Sequence, residues 1–133
     1  MALVPKISDD AASPEVRAVY DDIRATRGAD YINDFWRVLA NDPAQLAAVW
    51  QQAKGTMAPG ALDALTKELI YVAVSIANNC EYCVTTHTAA ARAKGMDDEK
   101  YREFMRVVAL ASVTNRIAIG YQIAPDTRYR HED

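Results

Sequence analysis

Apolar residues recur at steps of three and four along almost the whole of this chain, and nowhere do they alternate as a strand face requires. That period restricts the chain to packed helices, an all-α fold. Ser13-Pro14-Glu15 supplies a cap followed by proline at the first helical position, and Val16, Val19, Tyr20 and Ile23 then mark one stripe until Gly28. A second helix is predicted over Tyr31 to Ala40 with Phe35, Trp36 and Leu39. It halts at Asn41-Asp42-Pro43, where Asp42 can cap a helix that begins at Pro43 and turns Leu46, Val49 and Trp50 inward. Lys54-Gly55 and Ala58-Pro59-Gly60 are the strongest breakers, and they predict a bend within one domain covering residues 1–133.

Beyond the bend, Leu62, Leu65, Leu69, Val72 and Ile76 lie on one face of a long helix ending near Asn78-Asn79. The next helix begins at Cys80 and stops at Gly95. Asp97 then caps a last helix that runs to about Gly120, with Tyr101, Phe104, Met105, Val108 and Ala111 predicted on its buried side. The segment from Pro125 to Asp133, which includes His131, is polar and without period, and is expected to be loose or used in oligomer contacts. No repeat at a fixed spacing occurs.

With 133 residues the chain has the size of one domain, and its net charge of -3 without a Lys/Arg block argues against nucleic acid or an anionic membrane surface as partner. The N-terminus lacks the charged-then-apolar design of a secretory signal. The longest apolar stretch, Leu69 to Ala77, falls far short of the roughly 20 residues a membrane span needs. A cytoplasmic location is expected, and in that compartment two cysteines are catalytic or metal-binding more often than a permanent staple.

Those two cysteines, Cys80 and Cys83, are one helical turn apart, where Cα atoms about 5 Å from each other allow a disulfide to form and open without refolding. His87 follows a turn later on the same face, where its imidazole can accept or return a thiol proton. Glu68 and His87 would stand about 28 Å apart on one unbroken helix. If the chain folds back at Asn78-Asn79 as an αα-hairpin, they become nearly level on facing helices. A carboxylate would then hold the imidazole's tautomer and support its cationic form, and the imidazole would favour the thiolate. Both thiols also lie in the first turn of their helix, where the dipole and unpaired N–H groups stabilise an anion.

Glu68, Cys80-Glu-Tyr-Cys83, His87 and the following Thr88-Ala-Ala-Ala-Arg-Ala-Lys-Gly95 strongly resemble the alkylhydroperoxidase D-like (AhpD-like) members of the carboxymuconolactone decarboxylase family, most tightly from about Thr66 to Gly95. The resemblance implies an all-helical fold that assembles into homo-oligomers, trimers or hexamers, and thiol peroxidase or disulfide-reductase chemistry. It carries the family's proton relay onto Glu68, Cys80, Cys83 and His87. Some members have a second relay histidine between the cysteines, and Tyr82 stands there here; a phenol does not titrate near neutral pH, so the relay is shorter.

The expected activity is reduction of a hydroperoxide through the Cys80–Cys83 pair, with an external dithiol, a lipoyl- or thioredoxin-like protein, resetting the enzyme and no cofactor or metal taking part. Helix position favours Cys80 as the attacking thiol; the resemblance and the nearness of His87 favour Cys83, which is taken as the attacker, with Cys80 meeting the reductant. Three other readings stand beside this one. Glu68 and His87 could serve as acid and base of a decarboxylase acting on a lactone acid, which needs no thiol pair. Cys80, Cys83, His87 and Glu68 could hold zinc, although structural zinc sites usually add a second Cys or His pair. The cysteines could also be inert, small and buried. Glu68 lies between Leu65 and Leu69 in the apolar stripe, which predicts partial burial. Trp36, Trp50, Phe35 and Phe104 are read as core or subunit-interface residues that could also line a hydroperoxide pocket.

Overall fold

In the computed structural model, which describes residues 2–130, the regular structure is helical, with no strand among the described residues. The helices are α1 (Pro14–Arg27), α2 (Asp34–Leu39), α3 (Pro43–Met57), α4 (Ala64–Ala77), α5 (Glu81–Ala93) and α6 (Asp98–Gly120), followed by a 3-10 turn at Thr127–Tyr129. Backbone contacts divide the chain between Gly60 and Ala61, at the Ala58-Pro59-Gly60 breaker. Gly55 does not break the chain, contrary to the sequence reading. It lies inside α3, where glycine costs about 1 kcal/mol but does not forbid a helix; the stop comes before Pro59, whose ring disfavours helical backbone at Ala58.

The first unit is built on its caps. Val16 N–H donates to Ser13 Oγ at the start of α1, and Gly28, at φ 64, closes it in the left-handed conformation. Gln45 N–H donates to Asp42 Oδ1 at 3.0 Å to open α3. Val16, Tyr20, Ile23, Leu46 and Trp50 are buried as their period predicts, and Trp36 meets Trp50 edge to face at 5.4 Å. The second helix is shorter than predicted. Asn33 is extended at ψ 147, so α2 starts only at Asp34; Tyr31 is exposed, Ile32 enters the core and Phe35 stays largely outside it. The N-terminal segment is tied down by Asp9, which lies between Arg24 and Arg37; hydrogen bonds from those two guanidinium groups lower its carboxyl to about 2.

In the second unit α4 and α5 run back along each other as a hairpin. The first turn of α4 is set by Asp63, whose side chain accepts the Thr66 N–H at 2.9 Å. Leu62 therefore lies ahead of the helix and is exposed, which corrects its predicted place in the stripe. The fully buried row of α4 is Glu68, Val72 and Ser75.

Asp97 caps α6 as predicted, its carboxylate accepting the Lys100 N–H, and the helix ends at Gly120. Its predicted buried side is a second correction: Tyr101, Phe104, Met105 and Val108 are only half-buried and Ala111 is exposed. Among the described residues of this unit, neither α4 nor α5 lies along enough of α6 to cover that face. In the polar tail, expected to be loose or used in oligomer contacts, Thr127–Tyr129 forms a 3-10 turn and the described residues are exposed; His131 lies outside the described residues.

Candidate active site

The hairpin turn places the cysteines. Asn79 N–H donates to the Ile76 carbonyl and Cys80 N–H to the Ser75 carbonyl, while Asn79 itself adopts φ 56. These are the two bonds of a Schellman stop, with asparagine in the left-handed position that glycine usually takes. The turn has no spare residue. Cys80, the third residue beyond the end of α4, is at the same time the N-cap of α5, and its sulfur accepts the Cys83 N–H at 3.3 Å. The two cysteines are joined in a disulfide with Cα atoms 5.3 Å apart, the separation expected of residues three apart on a helix. Both are half-buried.

The same fold-back brings Glu68 and His87 together from positions nineteen residues apart, with His87 Nδ1 2.7 Å from Glu68 Oε2. Glu68 is only 4% exposed. A buried carboxylate needs compensation, and this one has it on both oxygens: Lys94 Nζ donates to Oε1 at 2.9 Å. Burial pushes the Glu68 carboxyl up, but the hydrogen bonds from His87 and Lys94, with the charges behind them, outweigh that effect and hold it below the ordinary carboxylate range. Tyr71 stacks on the imidazole with ring centroids 3.6 Å apart and planes inclined by 18°. His87 is thus held at its edge by Glu68 and across its face by Tyr71.

Because Nδ1 is engaged by the carboxylate, Nε2 is the nitrogen left for proton exchange with a reacting group. Tyr82, which stands where some relatives carry a second relay histidine, is largely exposed on the outside of α5. Lys94 and Tyr71 are the residues sequence reasoning missed. Tyr71 is one turn beyond Glu68 and Lys94 two turns beyond His87, but which residues along those helices meet the Glu68–His87 pair is set by the packing of α4 on α5. Among the described residues no three His, Cys, Asp or Glu side chains lie together as a metal site would require. No helix of the described residues is long and apolar enough to cross a membrane.

Fold and site together define an all-helical protein whose helix-borne cysteine pair closes beside a carboxylate–imidazole pair. Residues 43–124 match the model of the carboxymuconolactone decarboxylase family. The fold is similar to a crystal structure described as the alkylhydroperoxidase AhpD core of Rhodospirillum rubrum, with 50% sequence identity, a TM-score of 0.95 and 99% of each chain covered. A curated relative, "Uncharacterized protein 4 in cox locus" of Paracoccus denitrificans, is 40% identical over 57 residues, which is 43% of this chain. The match spans about half, 51%, of that relative's length. The chain belongs to the carboxymuconolactone decarboxylase family, and within it is AhpD-like.

Proposed function

We propose that this protein is a thiol-dependent peroxidase that reduces hydroperoxides through Cys80 and Cys83, with Glu68 and His87 as its proton relay. The observation that carries the reading is the short Glu68–His87 contact one turn from a cysteine pair that forms a disulfide within its own helix. The Cys83 thiolate attacks one peroxide oxygen, the O–O bond breaks, and the alkoxide leaves as an alcohol after taking a proton from His87. Cys83 becomes a sulfenic acid. Cys80 condenses with it, releasing water and forming the disulfide. Its N-cap position suits this step, because a donor on its sulfur favours the thiolate. An external dithiol, of the lipoyl or thioredoxin kind, then returns two electrons and two protons. In this reading the enzyme works in the cytoplasm, where such reductants are available, as a homo-oligomer of three or six chains. The uncovered apolar face of α6 and the family resemblance support the assembly.

A second reading, decarboxylase chemistry with Glu68 and His87 as acid and base, is favoured by the family's description and by the fact that this pair meets without help from the thiols. Single cysteine variants separate the two. Cys80→Ser should react with one equivalent of hydroperoxide and stop as a trappable sulfenic acid on Cys83. Cys83→Ser should react far more slowly, since Cys80 lacks the adjacent base, and neither variant should turn over. Faster sulfenic acid formation in Cys83→Ser would exchange the two roles. Turnover in both variants would remove the thiol mechanism and leave the decarboxylase reading in place.

A further inference from the structure

We infer that Lys94 is a positioning residue of the relay, the fixed cation that neutralises the Glu68 carboxylate so that His87 can exist as a neutral base beside the thiols. The inference rests on the relay proposed above for its use in catalysis, but not for its electrostatics. It begins from the burial of Glu68, which is 4% exposed and has one carboxylate oxygen turned to each of two partners, Oε2 to His87 and Oε1 to Lys94. With the imidazole as its sole counter-charge, a buried carboxylate would bind the imidazolium form firmly. His87 would then hold a proton it is required to exchange. With a lysine on the second oxygen, the carboxylate is compensated whichever form the imidazole takes.

The placement of Lys94 is built in by the end of α5. Its N–H donates to the Ala90 and Ala91 carbonyls at the C-cap, and Gly95, at φ 98, turns the chain. Met96 N–H then reaches back to the Ala91 carbonyl, and the Met96 side chain is buried. This is a Schellman stop with its apolar anchor, so the residue that bears the ammonium group has a defined backbone position. The groups that face the imidazole or its carboxylate are Glu68 and Tyr71 from α4 and Lys94 from the end of α5, with the thiol pair one and two turns before His87 on α5 itself.

The test is the titration of His87 in the reduced protein, followed by the NMR shift of its ring Cε1–H, in Lys94→Met and Lys94→Arg. The pH at which the imidazole releases its proton should rise by about one unit in Lys94→Met and return most of the way in Lys94→Arg. In a Glu68→Gln background the same Lys94→Met change should move the titration little, because Lys94 acts through the carboxylate. The pH profile of thiol alkylation should move in the opposite sense in each case, because the imidazolium favours the thiolate. An unmoved titration in Lys94→Met, or an equal shift in the Glu68→Gln background, would overturn the inference. Should Lys94→Met fail to fold, Lys94→Gln carries the same prediction. None of these readings requires peroxidase turnover, so failure of the proposed activity and failure of this inference are separately visible.

Discussion

At the scale of single residues, the account turns on a carboxylate that is buried and yet charged. The Glu68 carboxyl lies below its ordinary range in the folded protein. Its contribution to stability and to the relay is therefore fully present above that range and is lost as pH falls through the lowered value. Glu68→Gln removes it at every pH. The variant should fold, raise the pKa of the reactive thiol and slow its alkylation near neutral pH roughly tenfold, about one pKa unit, and a stopped-flow alkylation profile checks this. A profile identical to that of the unaltered protein would reduce Glu68 to a packing residue. Glu68, Cys80, Cys83 and His87 could be picked out in the sequence because their types and spacing are local facts about two helices. That Lys94 and Tyr71 join them is a tertiary fact: it depends on how far α4 and α5 are rotated about their axes, and a one-dimensional period does not report that rotation.

At the scale of elements, most starts and stops were legible because each is made by a side chain within three residues of it, as with Ser13, Asp42 and Asp97. The errors arise where the deciding interaction is weaker or lies elsewhere. Gly55 is absorbed by a helix held in place through the burial of Leu46 and Trp50, and the start of α2 depends on the extended backbone at Asn33. The hairpin between α4 and α5 is the element on which the site depends, and its turn rests on Asn79 at φ 56. A β-branched residue there faces the left-handed penalty of about 1–2 kcal/mol. Asn79→Val should lower the stability of this unit by about that much in denaturant titrations, whereas Asn79→Gly should cost little or stabilise. Equal stability of Asn79→Val and the unaltered protein would mean that the turn does not hold the two helices in register.

At the scale of the whole molecule, α6 carries a row of exposed apolar side chains. It is 23 residues long and has no buried residue, while Leu110, Val113, Ile117 and Tyr121 are between 49% and 81% exposed. Their steps of three and four make a continuous apolar stripe of the kind that a second helix covers. It lies on the side of α6 opposite the predicted buried side of Tyr101, Phe104, Met105, Val108 and Ala111, and the sequence reading did not single it out. Self-association through this stripe predicts that Leu110→Asp with Ile117→Asp yields a smaller species in sedimentation velocity, with the cysteine pair still able to close. A monomeric unaltered protein at micromolar concentration would contradict it. The central claim, that Cys80 and Cys83 work as one redox unit on a hydroperoxide, is met most directly by counting thiols. The fully reduced protein should present two thiols per chain, and one equivalent of an organic hydroperoxide should remove both together, with mass spectrometry placing the new bridge between Cys80 and Cys83 of the same chain; two thiols surviving the peroxide, or a bridge formed between chains, would contradict the account.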